Sequence, residues 1–174
     1  MKTLIKKVLF VNLSILLIAF IFISGCQQQK PDTSKELKPV LDKFVEVWNN
    51  GNYDELDALL DPGFVRIVNH IPDVEGIAGM KEAMSGFRTP FPDLKLTIDT
   101  EIYADNIAAA RWDFTGTNTG PGEMPPTGKS VKAWGITILH FANGKLIKEI
   151  VAYDEKFFME QLGFTMMQPT SGAE

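Results

Sequence analysis

The sequence predicts an α+β domain, and three observations carry that prediction. Apolar residues recur at helical spacing in the first half, as in Leu37, Val40, Leu41, Phe44, Val47 and Trp48. In the second half they alternate, with Leu94, Leu96 and Ile98 set against Lys95, Thr97 and Asp99. Between two later apolar runs stands Asn143-Gly144, the strongest short hairpin signal because both residues tolerate φ > 0. Helices followed by a run of antiparallel strands make the class α+β.

The elements follow in order. Thr33 and Glu36 can form a capping box in front of the first helix, which should end at Asn50-Gly51. A second short helix fits Tyr53 to Leu60, with Asn52 as N-cap, and Asp61-Pro62-Gly63 should stop it. Phe64 to Asn69 reads as a strand and Ile77 to Met84 as a third helix. Leu94 to Tyr103, Ile107 to Thr119, Val131 to Phe141 and Leu146 to Tyr153 read as four strands, with a Pro- and Gly-rich loop over Gly120 to Lys129. Glu155 to Leu162 closes the chain as a short helix ending at Gly163.

The chain has 174 residues, which suggests one domain behind a leader. Lys2, Lys6 and Lys7 precede a nearly unbroken apolar run from Val8 to Ile23, and Ser24-Gly25-Cys26 follows. A charged start, an apolar middle and a small-residue end mark residues 1–25 as an export signal. The run is short for a membrane-spanning helix, which needs about 20 apolar residues. Cys26 is the only cysteine, so no internal disulfide forms. Its setting resembles a bacterial lipobox, which makes Cys26 a lipidation site; the alternative is an uncleaved signal anchor. The domain plan is therefore leader 1–25, tether 26–32, folded domain 33–166 and tail 167–174. Loss of the leader removes three lysines and no acid, taking the net charge from −5 to −8. Such a charge argues against nucleic acid as a partner and against electrostatic attachment to anionic lipid, so the lipid on Cys26 would hold the membrane.

Several short stretches resemble the SnoaL-like polyketide cyclases, also called ester cyclases, a family of the nuclear transport factor 2-like superfamily. They are Phe91-Pro92-Asp93-Leu94, Ala110-Arg111-Trp112 with Thr115 to Gly120, Pro126 to Lys129 with Gly135-Ile136, Asn143 to Glu149 through Tyr153-Asp154, and Gln161-Leu162-Gly163. Their order and spacing carry the resemblance. It implies a cone: a curved antiparallel sheet packed by N-terminal helices, with a pocket between them for a small apolar molecule bearing carbonyl groups. The exposed side of such a sheet often makes a homodimer. The chain departs from the family pattern at Asn118, where His is common, at Ile150, where Trp is common, and at His140, where Arg is common.

In the family's cyclases an aspartate at the Asp154 position acts as acid/base in an intramolecular aldol closure. The same residue is also placed to cap the closing helix, which would hold its carboxylate ionised. A two-residue turn at Asn143-Gly144 would pair His140 with Ile147 and make His140 and Glu149 diagonal neighbours on one face. They would share it with Trp134, Ile136, Ile138, Val151 and Tyr153, either as an acid/base pair or as a polar pair at the rim. Asp154 falls on the opposite parity, so a twist or bulge must intervene if all three are to meet. Asn118 either donates to a substrate oxygen or satisfies a turn. Arg111 either grips a ligand carboxylate or pairs with an acid on its own sheet. Trp112, Trp134, Glu149 and Tyr153 are candidates to line the pocket, and His70 its mouth. Two distant histidines and one cysteine offer no metal-ligand spacing, and no phosphate loop or nucleophile elbow is present, so cofactor-free chemistry is expected.

Overall fold

The computed structural model describes residues 32–69, 71–122 and 125–165. The leader, Cys26, His70, Met166, Met167 and the tail lie outside them. The described residues belong to one compact unit that begins at Asp32. Among them no helix is long and apolar enough to cross a membrane.

Helix α1 spans Ser34–Asn50 and buries the expected stripe of Leu37, Leu41, Phe44, Val47 and Trp48. Gly51 ends it in the left-handed conformation, φ 73°, with its N–H on the Val47 carbonyl. The capping box does not form. Thr33 is itself helical, and Asp32 instead accepts from the Ser34 amide and hydroxyl, one turn-forming residue earlier. The second helix is split into a 3-10 turn at Tyr53–Glu55 and a single α turn, α2, at Leu56–Leu59. Strand β1 runs from Leu60 to Val68. Asp61-Pro62-Gly63 therefore lies inside a strand rather than ending a helix. The pairing of β1 skips between Leu60 and Val65, and a proline is tolerated in such an irregular stretch. A strand that the pattern did not announce, β2 (Ile71–Glu75), turns back against β1, and helix α3 follows at Gly76–Arg88. Strands β3 (Lys95–Ala104), β4 (Ile107–Thr117), β5 (Ser130–Ala142) and β6 (Lys145–Tyr153) and helix α4 (Glu155–Leu162) complete the domain.

The six strands form one open mixed sheet in the order β2-β1-β6-β5-β4-β3, parallel only between β1 and β6. One face is covered. Phe64 of β1, Ala108, Ala110 and Phe114 of β4, Val131, Ala133, Leu139 and Phe141 of β5 and Leu146 of β6 meet the helix stripes there. Strand β5 alternates buried and exposed along most of its length, as a strand with one wet face must. The covered end nearest α4 is filled by rings. Phe91, Phe114 and Phe158 stand 5.6–5.7 Å apart between centroids, and Phe87 lies 6.1–6.5 Å from each of them. Two shallow clefts open at the surface instead. One of about 470 Å³ lies between α1 and β3, and one of about 320 Å³ lies over the Thr117 and Ser130 ends of β4 and β5. At the free edge of β3 the Asn49 amide donates to the Leu96 carbonyl (2.9 Å) and accepts from its N–H (2.7 Å), occupying hydrogen-bonding positions that a further strand would use.

Candidate functional site

The hairpin at Asn143-Gly144 forms as the sequence suggests, and Ala142 pairs with Lys145. The ladder then slips. Phe141 pairs with Leu146 and His140 with Lys148, so Ile147 is an extra residue on β6. This bulge corrects the expected pairing of His140 with Ile147. Glu149 is opposite Leu139 and points to the covered face, whereas His140 lies on the open face between Ile107 of β4 and Lys148. The two do not meet. Trp134, Ile136 and Ile138 go with His140, and Val151 and Tyr153 go with Glu149.

Glu149 is therefore a buried carboxylate, and two residues that the motifs did not single out surround it. Arg66 is its direct partner across the parallel β1–β6 pairing, with Nε 2.9 Å from Oε2. Thr137, buried on β5, donates its hydroxyl to Oε1 at 3.1 Å. The Arg66 guanidinium lies 5.1 Å from the centre of the Trp48 ring at the end of α1, a cation–π contact. The side chains of Arg66 and Glu149 are only 13% and 6% exposed. In the sequence, Arg66 shares parity with Phe64 and Val68, and that charge in an apolar row is the signal that could have found the cluster. Val65 and Ile67 blur it by making the other row equally apolar.

Further along the same face three cross-strand partners, Trp112, Gly135 and Tyr153, lie in a row. A β-carbon on Gly135 would collide with the Trp112 ring and the Ala152 carbonyl, so glycine is what lets the indole lie across the sheet. The Trp112 and Tyr153 rings are 6.1 Å apart, and Tyr153 meets Phe158 at 6.1 Å. Burial raises the Tyr153 hydroxyl above its ordinary pKa. The charge of Glu155 adds to this, and the positive charge of Arg66 opposes it. Asn69, at φ 44°, donates its side-chain amide to the Tyr153 carbonyl at 3.2 Å and so ties the end of β1 to β6. The charged cluster and the aromatic row thus share one wall of the covered face.

Other candidate residues lie elsewhere. Asp154 is exposed and is the N-cap of α4, its Oδ1 accepting from the Phe157 amide at 2.8 Å. Asn118 is buried and fastens a loop. Its Oδ1 accepts from the Thr127 amide (2.8 Å) and hydroxyl (3.0 Å), and its Nδ2 donates to the Pro90 carbonyl. Arg111 is on the open face, paired with Asp113 at 2.9 Å and Asp99 at 3.2 Å, and lies over the Trp134 ring. Trp134 itself is 55% exposed. Of the residues proposed from the sequence, the structure brings together Glu149, Trp112 and Tyr153, and it separates them from His140, Asp154, Asn118, Arg111 and Trp134.

The family model for SnoaL-like polyketide cyclases matches residues 38–162. Among solved structures, the chain is similar to a candidate SnoaL-like polyketide cyclase from Jannaschia sp. CCS1 (TM-score 0.72, 19% identity, 79% of this chain and 99% of that one). It is also similar to TsrD from Streptomyces laurentii (TM-score 0.67, 27% identity, 74% and 96%). A third likeness is to AclR, a candidate hydroxylase from Streptomyces galilaeus (TM-score 0.67, 24% identity, 78% and 86%). The first two solved chains are covered almost whole. The comparison with curated proteins finds no match.

Proposed function

Because the chain belongs to the SnoaL-like polyketide cyclase family, we propose that its folded part is a small-molecule-binding domain whose site is the wall formed by Arg66, Glu149, Thr137, Trp112 and Tyr153. The ligand class is a small, largely apolar compound with a carbonyl or similar oxygen. The ion pair of Arg66 and Glu149 carries this reading. A buried pair generally contributes little more stability than apolar residues of the same shape, and often less. Retaining both charges on the covered face beside a row of rings is what a binding site requires, with apolar walls and a few placed polar groups. The acid/base role implied for Asp154 has no such support, since its carboxylate is outside and its Oδ1 is taken up by the Phe157 amide. Native mass spectrometry of residues 27–174 should find a small molecule carried through purification. The double variant Arg66→Met/Glu149→Leu, which keeps shape and removes charge, should lose it. A wild-type domain that carries nothing and binds no neutral dye such as N-phenyl-1-naphthylamine would end the reading.

Two further proposals concern where the domain sits. The lysine-led apolar leader and Ser24-Gly25-Cys26 support export and a lipid anchor on Cys26, with the domain on the extracytoplasmic side of a bacterial membrane. Labelled palmitate should enter the wild-type protein and not Cys26→Ser. The open face of β3, β4 and β5 supports a homodimer, because Ile102, Ile107, Trp134, Ile136 and Ile138 are all exposed there.

A further inference from the structure

We infer that the ligand is an anion, with a carboxylate bound by Arg66; this rests on the binding site proposed above and names its ligand class. The guanidinium has five N–H donors in a planar fork. Glu149 lies on its Nε side, and although Nε and Oε2 are 2.9 Å apart the contact is not aligned as a hydrogen bond. Among the described residues no hydrogen bond is made by either Nη. Glu149 is meanwhile held by Thr137 through its other oxygen, and its place opposite Arg66 is fixed by the strand register. The arginine is thus positioned by charge and by the Trp48 ring while its fork stays unused, and 13% of its side chain is exposed. Two parallel N–H groups match the two oxygens of a carboxylate, whereas a lone carbonyl would use only one of them.

Electrostatics sharpen the inference. A neutral ligand leaves the pair as it is, but an anion gives Arg66 a second counter-charge in a partly dry setting, where charge-assisted hydrogen bonds are strong. The mature chain, at net −8, repels anions at long range. Preference for an anion must then come from contact at Arg66 and not from steering.

Two dyes that share one ring skeleton test this on residues 27–174. N-phenyl-1-naphthylamine is neutral, and 1-anilinonaphthalene-8-sulfonate adds one anionic group. The anionic dye should bind about tenfold more tightly, the gain of one hydrogen bond between charged partners. Decanoate should displace it and decanol should not. Arg66→Lys should keep part of the preference. The double variant Arg66→Met/Glu149→Leu should abolish it, with an unchanged near-ultraviolet circular dichroism spectrum as the control for folding. Equal affinity of the wild type for both dyes, or equal displacement by acid and alcohol, overturns the inference and leaves the binding site standing. Failure of both dyes to bind a wild-type domain that carries no ligand overturns both.

Discussion

At Arg66 the sheet buries a cation where an alternating strand would place a third apolar residue, and the consequence can be measured. Removing only one partner of a buried ion pair leaves the other charge without compensation. Glu149→Leu should therefore lower unfolding stability in urea by about 3 kcal/mol. The double variant Arg66→Met/Glu149→Leu should recover most of that loss, a coupling that two independent surface charges would not show. Asp154 behaves differently. Its carboxylate caps α4, and asparagine caps a helix about as well. Asp154→Asn should hardly move the melting temperature, whereas Asp154→Ala should cost about 1 kcal/mol. Asn118 is a third kind of residue. It was legible as polar and near a strand end, but what it does depends on Thr127 and Pro90, which only the folded loop brings to it.

Among the elements, the fate of β6 shows what a sequence can and cannot tell. The turn at Asn143-Gly144 was legible because its chemistry is local: two adjacent residues, both at positive φ. The bulge at Ile147 was not, because no residue type demands it. It answers the packing of Leu146 and Glu149 onto the same covered face with an odd number of steps between them. One extra residue moved Glu149 away from His140 and toward Arg66, so the candidate site changed partners while every strand kept its place. Helix α1 and strand β5 were read correctly because their periods are long and clean; β2, five residues beside a residue pair with no strong pattern, was not. The loop joining α3 to β3 supplies a pH-dependent tie. Asp93 takes the Thr117 amide at 2.6 Å and the Thr117 hydroxyl at 2.8 Å, and these bonds, the amide first, hold its carboxyl below the ordinary carboxylate range. A depressed carboxyl stabilises the fold above its unfolded pKa of ~3.9, and that contribution fades as pH falls through the lower folded value. The domain should therefore lose stability on acidification below about pH 4. Asp93→Asn should flatten that part of the curve in a series of thermal melts and lower the melting temperature at neutral pH, where the ionised carboxyl contributes in full.

For the molecule as a whole, the open face of the sheet is the feature that asks for a partner. The row Trp134, Ile136 and Ile138 on β5, with Ile107 on β4 and Ile102 on β3, leaves large apolar side chains in water on the side away from the helices. Among them Arg111 pairs with both Asp113 and Asp99. A patch of large apolar side chains has the composition of an interface core, and a self-complementary sheet face suits a two-fold dimer. A stable dimer buries roughly 800 Å² on each partner, an area a three-strand face can supply. Sedimentation of residues 27–174 at micromolar concentration should show a dimer, and Trp134→Lys with Ile136→Lys should convert it to a monomer. Both side chains point away from the core, so the thermal melt of the monomer should change only by the lost association. A wild-type chain that stays monomeric at the highest soluble concentration, or a lysine variant that still sediments as a dimer, would show that this face is not the seam between two copies.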